Sequence, residues 1–385
     1  MSAAVYLDHN ATTPVHPGIL AKAPEWLASW GNPSSIHSFG RGPKAVLREA
    51  RQNIAALTGA QPLELIFTAG GSEANNLAFK GLVTKRKHYI VSAVEHPSVR
   101  KTAEWLRDQG CRVDILGVNR AGAIDLNELR ALVTTETALV SVMLGNNETG
   151  HIYPLKEIVS IAHAQGALVH TDAVQALGKI EFNLKDLGVD LASFSGHKFY
   201  ALKGCGILYA RKGVTVNPAI HGGAQERGRR AGTENLLAIA SLGFMCGKKD
   251  EITVQARRMA ELRNHMEKRI LSEISETVVT GPEGSRLPNT SSLCLAGVDG
   301  ETLLMNLDVR GFGVSTGAAC SSGNPEPSPT LLAMGLTRQE AQQSLRLSLG
   351  WGNTREEVDR FVDELVSVVA RLRSFATAQK AGYGL

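Results

Sequence analysis

Six short apolar runs occupy the first two-thirds of the chain: ELIFTA (64–69), HYIVSAV (88–94), ALVSVML (138–144), ALVHTDA (167–173), DLASFSG (190–196) and GILYARK (206–212). They are almost unbroken, where a half-exposed strand would alternate. The pattern therefore predicts strands buried on both faces. Amphipathic stretches at 72–83, 97–109 and 155–165 lie between them and predict helices. Strand and helix in alternation predict an α/β layer with a mostly parallel central sheet.

The pattern changes near residue 250. Met259, Leu262, Met266, Ile270 and Ile274 recur at spacings of three and four, one face of a long helix over 252–274. Strand-like runs follow at TSSLCLAGV (290–298) and LRLSLG (345–350). Thr354 with Glu357 has the spacing of a capping box for a closing helix. A chain of 385 residues exceeds the size at which single cores divide. The expected organisation is a large domain over 11–255 and a smaller α+β domain formed by 1–10 and 256–385. The stretch 315–330 is the most loop-like.

Composition narrows the class. The chain is 43% hydrophobic and 20% charged, which excludes disordered and collagen-like proteins. A net charge of +4 is too small and dispersed to make nucleic acid or an anionic membrane the main partner. The start, MSAAVYLDHNATTP, lacks signal-peptide features, and no 18-residue apolar run follows, so a cytoplasmic protein is expected. Five scattered cysteines do not form a disulfide framework. The absence of CxxC and HxxxH pairs gives no metal site, and neither GxxxxGK[ST] nor a complete GxGxxG is present.

Chemistry-bearing residues gather where the apolar runs end. SFSGHKFYALKG places Ser195, His197 and Lys198 after a buried run. A lysine there is often plain surface. It is also where α/β proteins place ligands, and a destabilised ammonium can form a Schiff base with a carbonyl cofactor. Asp172, in HTDAVQALG, is either a helix cap or the partner of a cation such as a pyridinium nitrogen, with Gln175 a donor to the same ring. FTAGGSEANN runs from strand through Gly70 and Gly71 to a helix start at Ser72, a shape that binds phosphate but is common in α/β turns. His96 in VEHPSV is a ring-stacking or proton-moving candidate, or plain polar surface. Asn146 and Asn147 end another run and are turn residues or ligand donors.

Taken in order, YLDHNATTPV, GNPSSIHSFGR, FTAGGSEANN, VEHPSV, NNETG, HTDAVQALGK, SFSGHKFYALKG, HGGAQERGRRAGTEN, STGAACSSG and LRLSLG resemble the cysteine desulfurases of the NifS/IscS group. These belong to the class V, fold type I family of pyridoxal 5'-phosphate (PLP) enzymes, and the resemblance spans nearly the whole chain. It implies that Lys198 carries the cofactor and that Asp172 faces the pyridinium nitrogen. Gln175 and Asn147 would bind the oxygen side of the ring, and His96 would stack on it and transfer protons. Gly71, Ser72, Ser195 and His197 would hold the phosphate, with Thr233 reaching the phosphate of the other subunit in a homodimer. Arg346 would clamp the substrate carboxylate, and Asn32 would help to position the substrate. Two departures are small: Ser72 replaces a common threonine, and His9 stands where an aromatic residue is frequent.

The reaction within the family turns on Cys320. Cys111, Cys205, Cys246 and Cys294 lie in strand-like, helix-like or Gly-flanked settings that suit buried structural thiols. Cys320 instead sits in STGAACSSGNPEPSP, a Gly/Ser/Pro-rich stretch with no bulky apolar neighbour. The resemblance makes it the nucleophile on a mobile loop that takes sulfur from L-cysteine as a persulfide, leaving L-alanine. Sulfur would pass on to an acceptor protein, an iron–sulfur scaffold or a thio-modification enzyme. The competing readings are a selenocysteine lyase or an aminotransferase of the same class, a non-catalytic scaffold, and a nucleic-acid binder resting on RGRR (227–230) alone.

Overall fold

The computed structural model describes residues 4–282, 284–316 and 326–382. Twelve strands are described: β1 (Val5–Tyr6), β2 (Leu65–Thr68), β3 (His88–Ser92), β4 (Arg112–Leu116), β5 (Thr137–Ser141), β6 (Leu168–Asp172), β7 (Leu191–Ser195), β8 (Gly206–Ala210), β9 (Thr277–Val279), β10 (Thr290–Leu295), β11 (Phe312–Gly313) and β12 (Ser344–Ser348). Seven form the central sheet in the order β2-β8-β7-β6-β5-β3-β4. From β4 to β7 all neighbours are parallel; β8 runs antiparallel to both β7 and β2. All six runs predicted as strands are in this sheet. β3, β5, β7 and β8 are buried at every residue, which is why their sequences do not alternate. The seventh strand, β4, is the edge; Arg112 and Ile115 are exposed, so its apolar signal is broken.

The predicted helices form as Gly71–Lys80, Pro97–Asp108 and Leu155–Ala164. They cross between parallel strands, so the strands' carboxyl ends collect on one edge. There the chain changes direction across the sheet: from β3 it steps out to β4, then returns to β5 and moves the other way. A crevice opens beside such a switch point.

A second apolar core lies apart from the sheet. It gathers Leu293, Leu295, Leu345 and Leu347 of β10 and β12, Met266 and Ile270 of the helix Lys249–Glu273, and Phe361 and Leu365 of the helix Arg355–Gly382. β10 lies between β12 and β9, antiparallel to both. β1 pairs in parallel with β11, which draws Val5 and Leu7 into this core. The five spaced residues read as one helix face, Met259 to Ile274, are all buried. The capping box forms: Thr354 N–H donates to Glu357 Oε2 (3.1 Å), and Glu357 N–H donates to Thr354 Oγ1 (3.2 Å). Among the described residues no helix is long and apolar enough to cross a membrane.

Gly206 shows how closely the sheet is drawn together beside the site. A Cβ at this position would stand 2.3 Å from the carbonyl carbon of Gly70, and Gly206 is paired with Ser195 on its other side. Backbone cannot yield as a flexible side chain does, so only glycine fits. Gly206→Ala should destabilise the fold by about 1–3 kcal/mol or more, read as a lower urea midpoint at unchanged slope; an unchanged midpoint would refute the contact.

Candidate active site

The carboxyl ends of the parallel strands open into a cavity of about 650 Å³. His96 follows β3, Asn147 follows β5, Asp172 ends β6, and Ser195, His197 and Lys198 end β7. Gly71 and Ser72 enter from the N-terminus of the helix Gly71–Lys80, Gln175 from the turn after Asp172, and Arg346 from β12. All ten of these predicted residues line this one cavity.

Lys198 Nζ donates to the carbonyls of Asn10 (2.7 Å) and Ala11 (2.5 Å). Burial and the nearby Arg346 charge pull its pKa down to about 8, while Asp8 and Asp172 pull the other way. An amine poised there is neutral often enough near neutral pH to attack a carbonyl carbon. Asp172 is buried; its carboxylate accepts from Asn75 Nδ2 (2.8 Å) and from Val174 N–H (3.0 Å). Among the described residues no cation lies within ion-pair distance of it. A buried carboxylate with donors but no counter-charge has room for a cation supplied by a ligand.

The surrounding groups hold the rest in register. Lys179 is fully enclosed, and burial drives its pKa well below the ordinary range. Its Nζ donates to Gln175 Oε1 (2.5 Å) and Asn10 Oδ1 (2.8 Å), which fixes the Gln175 amide with Nε2 as the donor end, here on the Asn10 carbonyl (3.0 Å). His197 meets Thr12 Oγ1 through Nδ1 (3.1 Å), and burial with the Lys198 and Lys203 charges lowers its pKa to about 4. It is a neutral ring at physiological pH. Glu95 Oε1 accepts from Ser92 Oγ and Met143 N–H, both at 2.7 Å; burial, helped by Asp172, pushes its pKa up to about 8. His9 is buried with its pKa lowered to about 4 and packs edge-on against Tyr6, centroids 4.9 Å apart, so it serves as a neutral aromatic.

Arg346 Nη2 pairs with Asp8 Oδ1 at 2.7 Å, Nη1 donates weakly to the Asn147 carbonyl (3.3 Å), and the buried Nε–H has no acceptor among the described residues. Part of its fork is free for a carboxylate. Asp8, Asn75, Glu95, Glu148 and Lys179 were given no role in the sequence reading, although all five stand in quoted motifs. Glu148 is buried and accepts from Ser328 Oγ and from Thr330 Oγ1 (2.8 Å).

Two described residues among those predicted, Asn32 and Thr233, do not line this cavity. Cys320 lies outside the described residues. Asn32 is exposed, its Oδ1 accepting from Ser34 N–H (2.8 Å), and Thr233 is exposed on the loop before the helix Leu236–Cys246. The RGRR run is less solvated than its charge implied. Arg229 donates to the carbonyls of Leu63 and Leu65, and Arg230 holds Glu73 at 2.9 Å, bracing the helix that starts at Gly71. Cys205 and Cys246 are buried and Cys294 half-buried; burial raises all three thiols, Cys205 to about 12 and Cys294 to about 11. These are inert structural thiols.

Residues 5–361 match the family model described as aminotransferase class-V. The cysteine desulfurase IscS of Dictyoglomus turgidum is 42% identical over 386 residues, covering 98% of this chain and 97% of its own. The chain belongs to the class-V aminotransferase family, in its NifS/IscS branch. Among solved structures, a NifS-like protein superposes with a TM-score of 0.89 at 35% identity, over 95% of this chain and 99% of its own. SspA in complex with cysteine gives a TM-score of 0.79 at 32% identity, over 90% and 98%. Class-V enzymes work through PLP, and the residues of this class-V cavity fit that group. Asp172 has no counter-charge among the described residues, Lys198 has a weakened ammonium, and Gly71 and Ser72 open a helix N-terminus to the same space.

Only the neutral form of an amine attacks an aldehyde, and the Lys198 amine is the candidate here. The rate at which the cofactor-free protein takes up PLP should therefore rise roughly tenfold per pH unit below the Lys198 pKa and level off above about pH 8. Stopped-flow absorbance over pH 6 to 9.5 reads this; a flat profile would refute the lowered amine.

Proposed function

We infer that this protein is a PLP-dependent cysteine desulfurase that takes sulfur from L-cysteine and leaves L-alanine. The carrying observation is a lysine amine and an uncompensated buried carboxylate opening on one cavity, with Arg346 on the same wall. Bound PLP supplies an aldehyde that joins amines and a ring that draws electrons from the substrate's α-carbon. Lys198 Nζ would hold that aldehyde, and its amine is placed to take the proton from the substrate's α-carbon. Asp172 balances the charge on the ring nitrogen, and Gln175 Nε2 and Asn147 serve the oxygen side. Gly71 and Ser72 offer helix N-terminal N–H groups to the phosphate, with Ser195 and neutral His197 beside them. His96 covers the ring and moves protons. Arg346 takes the substrate carboxylate through the donors that Asp8 leaves free.

Cys320 is the proposed nucleophile. Its thiolate attacks the substrate sulfur, the C–S bond breaks, and the pair returns to carbon, where protonation completes alanine; the enzyme keeps the sulfur as a persulfide. The chain on either side of this segment is fixed at the cavity. Ser315 pairs with Arg346, and Ser328 and Thr330 hold Glu148.

A homodimer completes the picture. Thr233 lies away from its own cavity, which suits a contact with the phosphate of a second subunit. Trp30, Ile36 and Phe39 are 76%, 97% and 64% exposed, an apolar group beside Asn32 that a second copy would cover. The persulfide is passed to an acceptor protein, an iron–sulfur scaffold or a thio-modification enzyme.

Cys320→Ser should still turn yellow with PLP but lose alanine and sulfide production from cysteine; full retention would remove Cys320 from the mechanism. Lys198→Ala should lose the colour of lysine-bound PLP and slow turnover by about 10²–10⁴-fold. In light scattering the wild type should have the mass of two chains, and Ile36→Glu with Trp30→Glu should shift it toward one; a monomeric wild type would overturn the assembly.

A further inference from the structure

Two residues without a role in this mechanism connect Asp172 to His96. Asn75, buried in the helix Gly71–Lys80, donates through Nδ2 to Asp172 Oδ2 and to Ser98 Oγ, both at 2.8 Å. Ser98 Oγ lies 2.8 Å from His96 Nδ1, and Ser98 N–H donates to the same nitrogen at 3.1 Å. The hydrogens along this chain run one way. A reversed amide would set Asn75 Oδ1 against the Asp172 carboxylate, so both Asn75 contacts use its N–H groups. Ser98 Oγ then accepts from Asn75 and turns its own hydrogen to His96 Nδ1. Nδ1 takes two donors and carries no proton, so the neutral ring holds its hydrogen on Nε2. This arrangement leaves Asn75 Oδ1 buried with no partner among the described residues, a cost that packing alone does not account for.

We propose that Asn75 and Ser98 are positioning residues that couple the Asp172 carboxylate to the His96 imidazole and hold that ring as its Nε2–H form. The hydrogen-bond chain is a property of this polypeptide alone; its catalytic meaning, a link between the group at the ring nitrogen and the group covering the ring, rests on the PLP reading above. The charges around His96 are Asp172 from β6, Lys198 from the end of β7, and Arg100 on its own helix. Burial is the largest influence on its pKa and lowers it; Asp172 raises it, and Lys198 and Arg100 lower it. The two donors on Nδ1 act in the same sense as burial, since each favours the neutral ring.

The test titrates cofactor-free, histidine-labelled protein by nitrogen-15 NMR, reading both ring nitrogens of His96. The wild type should show an unprotonated Nδ1 above its midpoint. Ser98→Ala should raise that midpoint by about half a pH unit to one unit, the worth of one neutral hydrogen bond, and Ser98→Thr should restore it. Asn75→Leu should also raise it, because the Ser98 hydroxyl loses the donor that polarises it. Asn76→Ala, on the same helix but with its amide donating to the Ser72 carbonyl, should not move it. Identical titrations in wild type and Ser98→Ala, or a protonated Nδ1 in the neutral wild-type ring, would overturn the proposal. If Asn75→Leu does not fold, the Ala and Thr variants at 98 decide alone. The shifts without any yellow colour on adding PLP would keep the coupling and sink the desulfurase reading. Colour and alanine formation with His96 unmoved would sink only the coupling.

Discussion

A carboxylate buried at the end of β6 organises this site. Asp172 has two hydrogen-bond donors and no cation within reach among the described residues, an arrangement that favours a cationic ligand. Its neighbours are consistent with that need. Glu95, the next carboxyl along, is pushed toward neutrality, so it adds little negative charge of its own. Lys198 is held apart from the carboxylate by the Asn10 and Ala11 carbonyls and weakened by burial and by Arg346. A lysine closing directly on Asp172 would neutralise it and spoil both groups.

Sheet topology brings these groups together. Parallel strands joined by helices deliver every carboxyl end to one edge, and each brings its own polar residue: His96, Asn147, Asp172, Lys198. The second core supplies the opposite wall. β1 leads from the pair with β11 straight to Asp8 and Asn10, and β12 carries Arg346. Asn10 binds across the junction, donating to the Asn147 carbonyl and to Thr290 Oγ1 and receiving Lys179. The substrate's carboxylate and the cofactor's ring would thus be held by different cores.

Much of this was legible in the chain. Lys198, Asp172 and His96 are polar residues that interrupt long apolar runs, and desolvation makes such interruptions costly unless a ligand or partner answers them. Lys179, Glu95 and Glu148 were not legible, because a lysine or glutamate in a turn reads as surface. Only the fold shows Lys179 enclosed among amide oxygens or Glu148 clasping Ser328 and Thr330. Asn32 and Thr233 carry ordinary loop chemistry, and their distance from the cavity of their own chain is a fact of tertiary placement. β4 was weak in the sequence for the same physical reason that it is an edge: one side meets water.

The sequence by itself determined the strands, their burial and the residue types at their ends, because burial on two faces demands continuous apolar side chains and polar groups appear where that demand stops. The tertiary structure alone decided which of those groups share a cavity, which charges they feel and which hydrogens they hold. Lys198 has its weakened ammonium because the fold buries it and brings Arg346, 148 positions on, beside it, and the proposed Nε2–H form of His96 rests on Asn75 and Ser98 meeting across two helices. Electrostatic and hydrogen-bond energies depend on distances through space, and spacing along the chain does not encode them.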